Sequence, residues 1–358
     1  MLTTLHPTLG RRTLSGLLAM LAVVALPAAE VFRPKVVVVT MFEIGEPTGD
    51  RPGELQYWVE REGLDRTIAV PAAPHPLHAN PDVSVVALLT GVGNTNAAAA
   101  VMALGLDPRF DLRRTYWLVA GIAGVDPADA SLGSAAWAQH VVEGDLAHEF
   151  DAREIPEDWP TGFVPLGKRR PYELPRAATR PGQVFSLDEG LVRWAHALTK
   201  DVTLPDSEGL QRLRSRYAGI PAATRPPFVL LGDAMASSTF WHGQRMNAWA
   251  NEWLRYYTDG RANYVMTAME DTGTLRALEL LGQAGRCDPR RALVLRTASN
   301  YDSPWRGATA VESLNSEAPG TFSGLLPSLE AAHRVGSRVV RKLVSDWERY
   351  ETKTPGSP

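Results

Sequence analysis

The chain has 358 residues with a formal net charge of −3, and 44% of its residues are hydrophobic and 22% charged. These proportions are ordinary for a soluble globular protein. The small net charge, without a long basic run, argues against nucleic acid as a partner. A single cysteine, Cys287, excludes an intrachain disulfide and a thiolate metal cluster. Because no metal-binding or Walker motif occurs either, we expect no metal ion and no cofactor.

The N-terminus predicts an export signal. Arg11 and Arg12 precede an apolar stretch at 14–26, and the small residues Ala28 and Ala29 follow it. A stretch of thirteen residues at about 1.5 Å each cannot cross a hydrocarbon core of about 30 Å. We predict that residues 1–29 are a cleaved signal peptide and that the mature protein is secreted or periplasmic. An uncleaved membrane anchor is the alternative.

Short β-branched runs alternate with helical patterns along the rest of the chain. We predict strands at residues 35–40, 83–89, 116–120, 135–142, 228–231, 264–267 and 293–297. We predict helices at residues 53–62, 187–198, 244–257, 275–284 and 327–350, and an alanine-rich helix from Asn96. This alternation predicts an α/β fold around a mostly parallel or mixed sheet.

The same pattern predicts how the chain is divided. We predict one domain from residue 34 to 350, with helices flanking its central sheet, and a flexible tail at 351–358. Residues 155–186 are rich in Pro, Gly and Arg, which indicates a long surface excursion rather than a domain boundary.

Residues with special chemistry follow three of the predicted strands. Gly91 and Gly93 follow the second strand, Gly121 ends the third, and Met269-Glu270 stands where the strand at 264–267 meets a helix. Ligands of open α/β sheets bind beyond the carboxyl ends of strands, so we expect one binding site here. A carboxylate such as Glu270 can accept hydrogen bonds from both hydroxyls of a ribose diol. A solvated acidic residue at a helix start is the alternative.

Several segments together resemble the purine nucleoside permease family, a branch of the nucleoside phosphorylase superfamily. They are Gly-Val-Gly-Asn-Thr-Asn-Ala-Ala-Ala (91–99), Phe-Asp-Leu (110–112), Val-Ala-Gly-Ile-Ala-Gly-Val (119–125), Glu-Phe-Asp-Ala-Arg-Glu (149–154), Ala-Met-Glu-Asp (268–271) and Leu-Arg-Thr-Ala-Ser-Asn-Tyr-Asp (295–302). The resemblance covers residues 34 to 350. It implies a single-domain nucleoside-phosphorylase-like fold and purine nucleoside binding in nucleoside uptake or transport.

The resemblance leaves a second function open, which is cleavage of the purine nucleoside N-glycosidic bond. Water is the expected acceptor rather than phosphate. Phosphorylases of the superfamily bind phosphate with an arginine and a serine beside the glycine that Gly121 matches, and this chain has Val119 and Ile122 there. An apolar pair cannot repay the desolvation of a phosphate dianion. An inner-membrane transporter and a second copy of the chain are the protein partners that stay open.

The resemblance also assigns residues to parts of the site. Gly91 and Gly93 would approach the ribose or an anion, with a tight strand-to-helix turn as the alternative. Asn94 would lie beside them, although it is also a natural helix cap. The turn predicted from Gly121 and Ile122 would lie under the sugar and base, beside Met269.

The remaining candidates concern the base and the chemistry. Phe240 and Trp241 would stack on the base, with core packing as the alternative. Asn300 stands where hydrolases have an acidic residue at the purine N7, so we predict that it selects the base.

Three carboxylates are candidates for catalysis. Asp302 is a candidate general acid, or else it caps a turn. Glu43 or Glu46 would activate water as general base, with a solvated loop carboxylate as the alternative in each case.

Overall fold

The computed structural model describes residues 31–317 and 323–357, and the predicted signal peptide lies outside them. The strands are β1 (Val36–Thr40), β2 (Arg66–Ile68), β3 (Leu77–Ala79), β4 (Val85–Leu89), β5 (Tyr116–Val125), β6 (Ala135–Trp137), β7 (His140–Glu143), β8 (Ala147–Glu149), β9 (Phe163–Pro165), β10 (Val184–Ser186), β11 (Val229–Leu231), β12 (Asp233–Ala236), β13 (Tyr264–Ala268) and β14 (Ala292–Tyr301). The helices are α1 (Gln56–Glu62), α2 (Asn94–Leu106), α3 (Glu189–Thr199), α4 (Glu208–Ser215), α5 (Pro221–Thr224), α6 (Gln244–Thr258), α7 (Asp271–Gln283), α8 (Ala310–Leu314), α9 (Leu325–Ser345) and α10 (Trp347–Tyr350).

A mixed sheet carries the fold. Its main path runs β10-β7-β12-β13-β5-β1-β4-β3-β2, and β14 pairs with both β5 and β6. The central strands β4, β1, β5 and β14 are parallel, whereas β13 runs antiparallel to β5. All five residues of β1 and of β4 are buried, as expected for strands that are covered on both faces. The predicted α/β fold with a mostly parallel or mixed sheet is confirmed.

Two strands differ from their predicted bounds in ways that shape the site. The predicted strand at 116–120 continues to Val125, because β14 pairs with β5 along its whole length. Residues Gly121 to Gly124 are therefore part of a strand, and the prediction of a turn there is wrong. The predicted strand at 135–142 is divided into β6 and β7, which pair with different neighbours.

The predicted surface excursion at 155–186 returns to the body of the protein. Its last residues form β10, which pairs antiparallel with β7 at the end of the sheet path. At the other end of the chain, Arg291 donates to the Glu351 carbonyl at 2.7 Å, and Pro355 is buried. The predicted flexibility of this tail stays a prediction.

Among the described residues, none of the helices combines the length and the apolar character needed to span a bilayer. The longest of the described helices, α9, is amphipathic and buries one face against β5 and β14. Helices α2 and α7 pack against each other so closely that a Cβ on Gly273 would lie 2.1 Å from the Asn94 carbonyl oxygen. The start of α2 is thereby fixed beside the start of α7.

Candidate functional site

A cavity of about 270 Å³ opens where the ends of several strands meet. Its walls come from the segments after β1, β4 and β13, from the second halves of β5 and β14, and from the segment that precedes α6. Residues at the ends of α4 and α8 and at the start of α9 also line it. The predicted site residues that line it are Ile122, Phe240, Met269, Glu270 and Asn300. The prediction that this edge of the sheet forms a pocket therefore agrees with the structure.

Glu270 lies at the junction of β13 and α7 and is 4% exposed. Its Oε1 accepts a hydrogen bond from the Gly93 amide at 3.2 Å, and its Oε2 accepts one from Arg296 at 3.0 Å. Burial raises the pKa of Glu270, whereas the Arg296 guanidinium opposes that shift. Oε2 also accepts a hydrogen bond from the Met269 amide at 3.3 Å. The carboxylate is thus held rigidly on the cavity wall, and Oε1 keeps further acceptor capacity.

Arg296 is a buried cation that the sequence analysis did not single out. Its guanidinium also donates to Asp271 Oδ1 at 2.9 and 2.5 Å, and to the Ile122 carbonyl at 3.1 Å. Burial alone would lower the pKa of Arg296, but the carboxylates of Asp271 and Glu270 raise it. Arg296 precedes Asn300 by four residues in the predicted strand segment, and residues an even number apart in a strand face the same side. That spacing could have identified Arg296, which lines the same cavity as Asn300.

Glu54 is the second residue that the sequence analysis missed. It is buried on the cavity wall, where it accepts hydrogen bonds from the amides of Met41 and Ile122, both at 2.8 Å. Burial raises its pKa to about 8, with Arg296 opposing and Glu270 reinforcing the shift. Glu54 is thus a carboxyl group that changes protonation near neutral pH at the cavity.

Gly121 explains how these charged groups come so close together. A Cβ at this position would lie 2.1 Å from Met41 Cε, 2.5 Å from Glu54 Oε1 and 2.6 Å from an Arg296 nitrogen. Only glycine leaves room for all three side chains above β5. Gly121 therefore shapes the site without lining the cavity itself.

The segment between β4 and α2 supplies a backbone donor. Gly91 and Gly93 have φ of +88° and +93°, which glycine adopts without strain. Gly93 donates to Glu270, whereas Gly91 faces a second, neighbouring pocket. Asn94 joins α2 to α7, since its Oδ1 accepts from Thr272 Oγ1 at 3.0 Å and from the Gly273 amide at 2.9 Å. The side chain of Asn94 thus caps the start of α7 rather than the start of its own helix, α2.

The two acidic residues predicted as general bases lie outside the main cavity. The Oε2 of Glu43 accepts from the amides of Leu55 and Gln56 at 3.0 and 2.7 Å, which caps the start of α1. Its Oε1 accepts from the Ile44 and Gly53 amides. Glu46 is exposed, and both carboxylates face the second pocket of about 450 Å³. Glu54 lines the main cavity, whereas Glu43 and Glu46 do not.

Asn300 lines the cavity, and its amide already has partners. Its Oδ1 accepts from Ser299 Oγ at 2.9 Å, and its Nδ2 donates to the Tyr301 carbonyl at 3.2 Å. One amide hydrogen and one lone pair thus remain for a ligand. Ser299 forms a bulge, because the ladder with β5 passes from Ala298 directly to Asn300.

Asp302 does not fit the predicted role of general acid. It is fully buried behind the cavity wall, where it accepts hydrogen bonds from Tyr264 at 2.6 Å and from Asn247 at 3.1 Å. Burial raises its pKa to about 8. Because its oxygens hold β13 and α6 together, Asp302 is a structural carboxyl group in this arrangement.

The two aromatic candidates point in different directions. Phe240 lines the cavity and is 55% exposed, whereas Trp241 is 7% exposed and packs against Trp249 and Tyr264 in the core. Core packing is therefore the correct interpretation of Trp241. The next residue, His242, also lines the cavity. Burial lowers the pKa of His242, and the nearby Tyr301 backbone partly opposes that shift. Within the described chain, neither ring nitrogen of His242 makes a hydrogen bond of normal geometry.

The geometry can be compared with known proteins. The family model described as purine nucleoside permease matches residues 33–355. The chain belongs to the purine nucleoside permease family. A probable purine nucleoside permease of Schizosaccharomyces pombe is 28% identical over 95% of this chain and 99% of its own length. A purine nucleoside permease of Candida albicans is also 28% identical, over 90% of this chain and 78% of its own length.

A solved structure has the same fold as this chain. The 5′-methylthioadenosine/S-adenosylhomocysteine nucleosidase of Colwellia psychrerythraea 34H, in complex with adenine, superposes with a TM-score of 0.50 at 18% identity. The match covers 88% of this chain and 96% of the nucleosidase. At this identity the likeness shows a common fold, which is the nucleoside-phosphorylase-like fold expected for the family. Within the described residues there is no group of three or more His, Cys, Asp or Glu side chains arranged to hold a metal ion.

Proposed function

We propose that this protein binds purine nucleosides in the main cavity and serves their uptake. Membership of the purine nucleoside permease family supports the ligand class. The cavity supports it physically, because one end is charged and the other walls are largely apolar. A ribose offers hydroxyls for the charged end, and a purine offers an apolar face with polar edges for the remainder.

Glu270 is the observation that carries the proposal. It is a buried carboxylate on the cavity wall, fixed by the Gly93 amide and by Arg296. Hydrogen bonds to an ionised acceptor are stronger than neutral ones, and a preorganised acceptor costs less entropy to engage. We propose that Glu270 accepts hydrogen bonds from the 2′- and 3′-hydroxyls of the ribose. The base then extends along β14 towards Asn300 and Phe240.

Calorimetry on Glu270→Gln tests this assignment. The substitution preserves size but removes the charge, and we expect adenosine affinity to fall by about tenfold to a hundredfold, which corresponds to about 1.5–3 kcal/mol. The control is 2′,3′-dideoxyadenosine, which lacks both hydroxyls. This ligand should bind the parent weakly, and its affinity for the variant should be no lower than its affinity for the parent. Equal adenosine affinity in parent and variant would remove Glu270 from the site.

The cellular part of the proposal concerns location and partners. We propose that the exported protein binds nucleosides outside the inner membrane and delivers them to an inner-membrane transporter. The apolar stretch at 14–26 and the family membership support this role. We also propose that the protein can associate with a second copy of itself.

Glu54 favours a second candidate function, which is hydrolysis of the N-glycosidic bond. Its carboxyl group lies on the same cavity wall as Glu270, and its pKa is raised to about 8 by burial. A base that titrates near the working pH is suited to take a proton from attacking water. Phosphate is disfavoured as acceptor, because Ile122 lines the wall and Arg296 is already paired with Glu270 and Asp271.

An assay for free base separates the two candidates. The protein is incubated with adenosine, inosine and guanosine, with and without phosphate, and the released base is quantified. A binding protein releases no base in either condition. A hydrolase releases base and ribose without phosphate, and Glu54→Gln should abolish that activity while adenosine still binds. Ribose 1-phosphate in the products would contradict the exclusion of phosphate.

A further inference from the structure

The main cavity continues past the part that a ribose and a purine need. Its lining follows β14 from Arg296 to Tyr301, a rise of about 16 Å for five residues of strand. It then continues to Trp305 in the following segment. If the ribose lies at Glu270 and Arg296, as proposed above, the base reaches Asn300. The lining beyond Asn300 then faces the edge of the purine that is farthest from the sugar.

The far end of the cavity is aromatic and aliphatic. The rings of Tyr217 and Tyr301 are tilted by 41° with centroids 3.9 Å apart, and Tyr217 makes an edge contact with Trp305 at 6.1 Å. Leu132, Leu213, Leu314 and Leu325 add aliphatic surface to the lining, and the polar residues Ser313, Ser316 and Glu317 also line the cavity.

Several polar groups of the lining are turned away or already engaged, and the Glu317 carboxylate accepts a hydrogen bond from the Ser323 amide at 3.0 Å. The Tyr217 hydroxyl donates to the Ser303 carbonyl at 2.8 Å, and the Tyr301 hydroxyl donates to the Ala223 carbonyl at 2.7 Å. The guanidinium of Arg216 lies 4.9 Å from the Trp305 ring centroid, where the ring face attracts it. The two tyrosines thus offer the cavity ring surfaces rather than hydroxyl groups.

We propose that the site accepts purine nucleosides that carry an apolar substituent on the pyrimidine-ring edge of the base, such as N6-alkyl or N6-aryl adenosines. The substituent lies among Tyr217, Leu213 and Trp305, while the ribose keeps its contacts with Glu270. This inference rests on the proposed function and adds a substrate class to the same site. The gain in affinity comes from apolar surface that the substituent removes from water.

Calorimetry with adenosine and N6-benzyladenosine tests the proposal on the parent protein and on Leu213→Trp. We expect N6-benzyladenosine to bind the parent about tenfold more tightly than adenosine. The larger indole of the variant should fill the far end and remove that advantage. Adenosine should bind the variant within about twofold of the parent, because its contacts lie elsewhere. Leu280→Trp, on the exposed side of α7 and away from the cavity, is the matched control.

The outcomes distinguish this inference from the proposed function. If adenosine itself does not bind the parent, the proposed function fails. If adenosine binds but N6-benzyladenosine binds equally or more weakly, the extended site is wrong. An equal loss for both ligands in Leu213→Trp would mean that the purine itself occupies the far end, which also overturns the proposal. Should Leu213→Trp fail to fold, Trp305→Ala decides, because it should remove the benzyl advantage and keep adenosine binding.

Discussion

At the scale of single residues, the charged end of the cavity is a cluster of acidic groups around one cation. Glu54, Glu270 and Asp271 surround Arg296, and all four are buried. One guanidinium cannot neutralise three carboxylates, so the cluster favours a bound proton. Burial is the main cause of the raised pKa of Glu54, and the neighbouring Glu270 carboxylate adds to it.

The protonation of Glu54 should therefore contribute less to stability as pH rises. With a pKa of 4.5 in the unfolded chain and about 8 in the fold, Glu54 is protonated only in the native state between those values. Its contribution is present below pH 4.5 and is lost as pH rises towards 8. Glu54→Gln should make the pH dependence shallower by up to about 1.4 kcal/mol per pH unit.

Urea unfolding at several pH values across this window measures the effect. Glu46→Gln, at an exposed carboxylate of the neighbouring loop, is the control and should keep the slope of the parent. Identical slopes in Glu54→Gln and the parent would show that Glu54 does not hold a proton in the fold.

Sequence reasoning found part of the site at this scale. Glu270 could be predicted, because a short strand that runs directly into a helix fixes where its last side chain lies. Glu54 could not, because it belongs to the long loop after β1 and reaches the cavity only by accepting from Met41 and Ile122. Trp241 follows Phe240 directly, and only the path of the loop decides which ring turns into the core.

At the scale of elements, the site depends on the contact between α2 and α7. Asn94 Oδ1 accepts from Thr272 and Gly273 at the start of α7, and its Nδ2 donates to Glu143 at 3.2 Å. These bonds join two helices and β7 around the glycine loop that supports Glu270. The position of Gly93, and hence its bond to Glu270, follows from that joint.

Asn94→Ala should lower the free energy of unfolding by about 1–3 kcal/mol, because it leaves buried donors without partners. It should also weaken nucleoside binding, since Gly93 is no longer fixed. Denaturant unfolding and calorimetry check the two effects. Asn96→Ala on the exposed side of the same helix is the matched control and should change stability by less than about 0.5 kcal/mol. Equal effects of the two substitutions would contradict this role for Asn94.

The bounds of strands and helices were predicted best where they depend only on the hydrophobic pattern of the segment itself. The strands β1, β4 and β13 have nearly their predicted bounds, since each is a short apolar run with a clear end. The extension of β5 could not be predicted, because it depends on pairing with β14, which is distant in the chain. For the same reason β10 was not foreseen, since its partner β7 precedes it by about forty residues.

At the scale of the whole molecule, the alternation of strands and helices was enough to predict the α/β class. The resemblance of a few segments was enough to predict the family. The order of the strands was not predictable, because neither periodicity nor composition determines which strands pair.

We predict that residues before about Glu30 are absent from the exported protein. The charged start and the short apolar stretch at 14–26 are the reasons. Intact-mass measurement of protein from the periplasm or medium, beside the membrane fraction, decides the question. A substitution of Leu18 and Leu21 by arginine should abolish export and leave the full-length chain inside the cell. A full-length chain found only in membranes would instead indicate an anchor.

The bulge at Ser299 has a consequence for how such proteins diverge. In a regular strand, neighbouring side chains face opposite sides of the sheet, but here Ser299, Asn300 and Tyr301 all line the cavity. Ser299 itself is skipped by the ladder with β5, but its hydroxyl donates to the Ala123 carbonyl of β5 at 3.1 Å. A substitution at this point would alter what a ligand meets and would remove that side-chain bond, while the backbone ladder on either side stays. Ligand preference can thus evolve here at the cost of one side-chain hydrogen bond to β5.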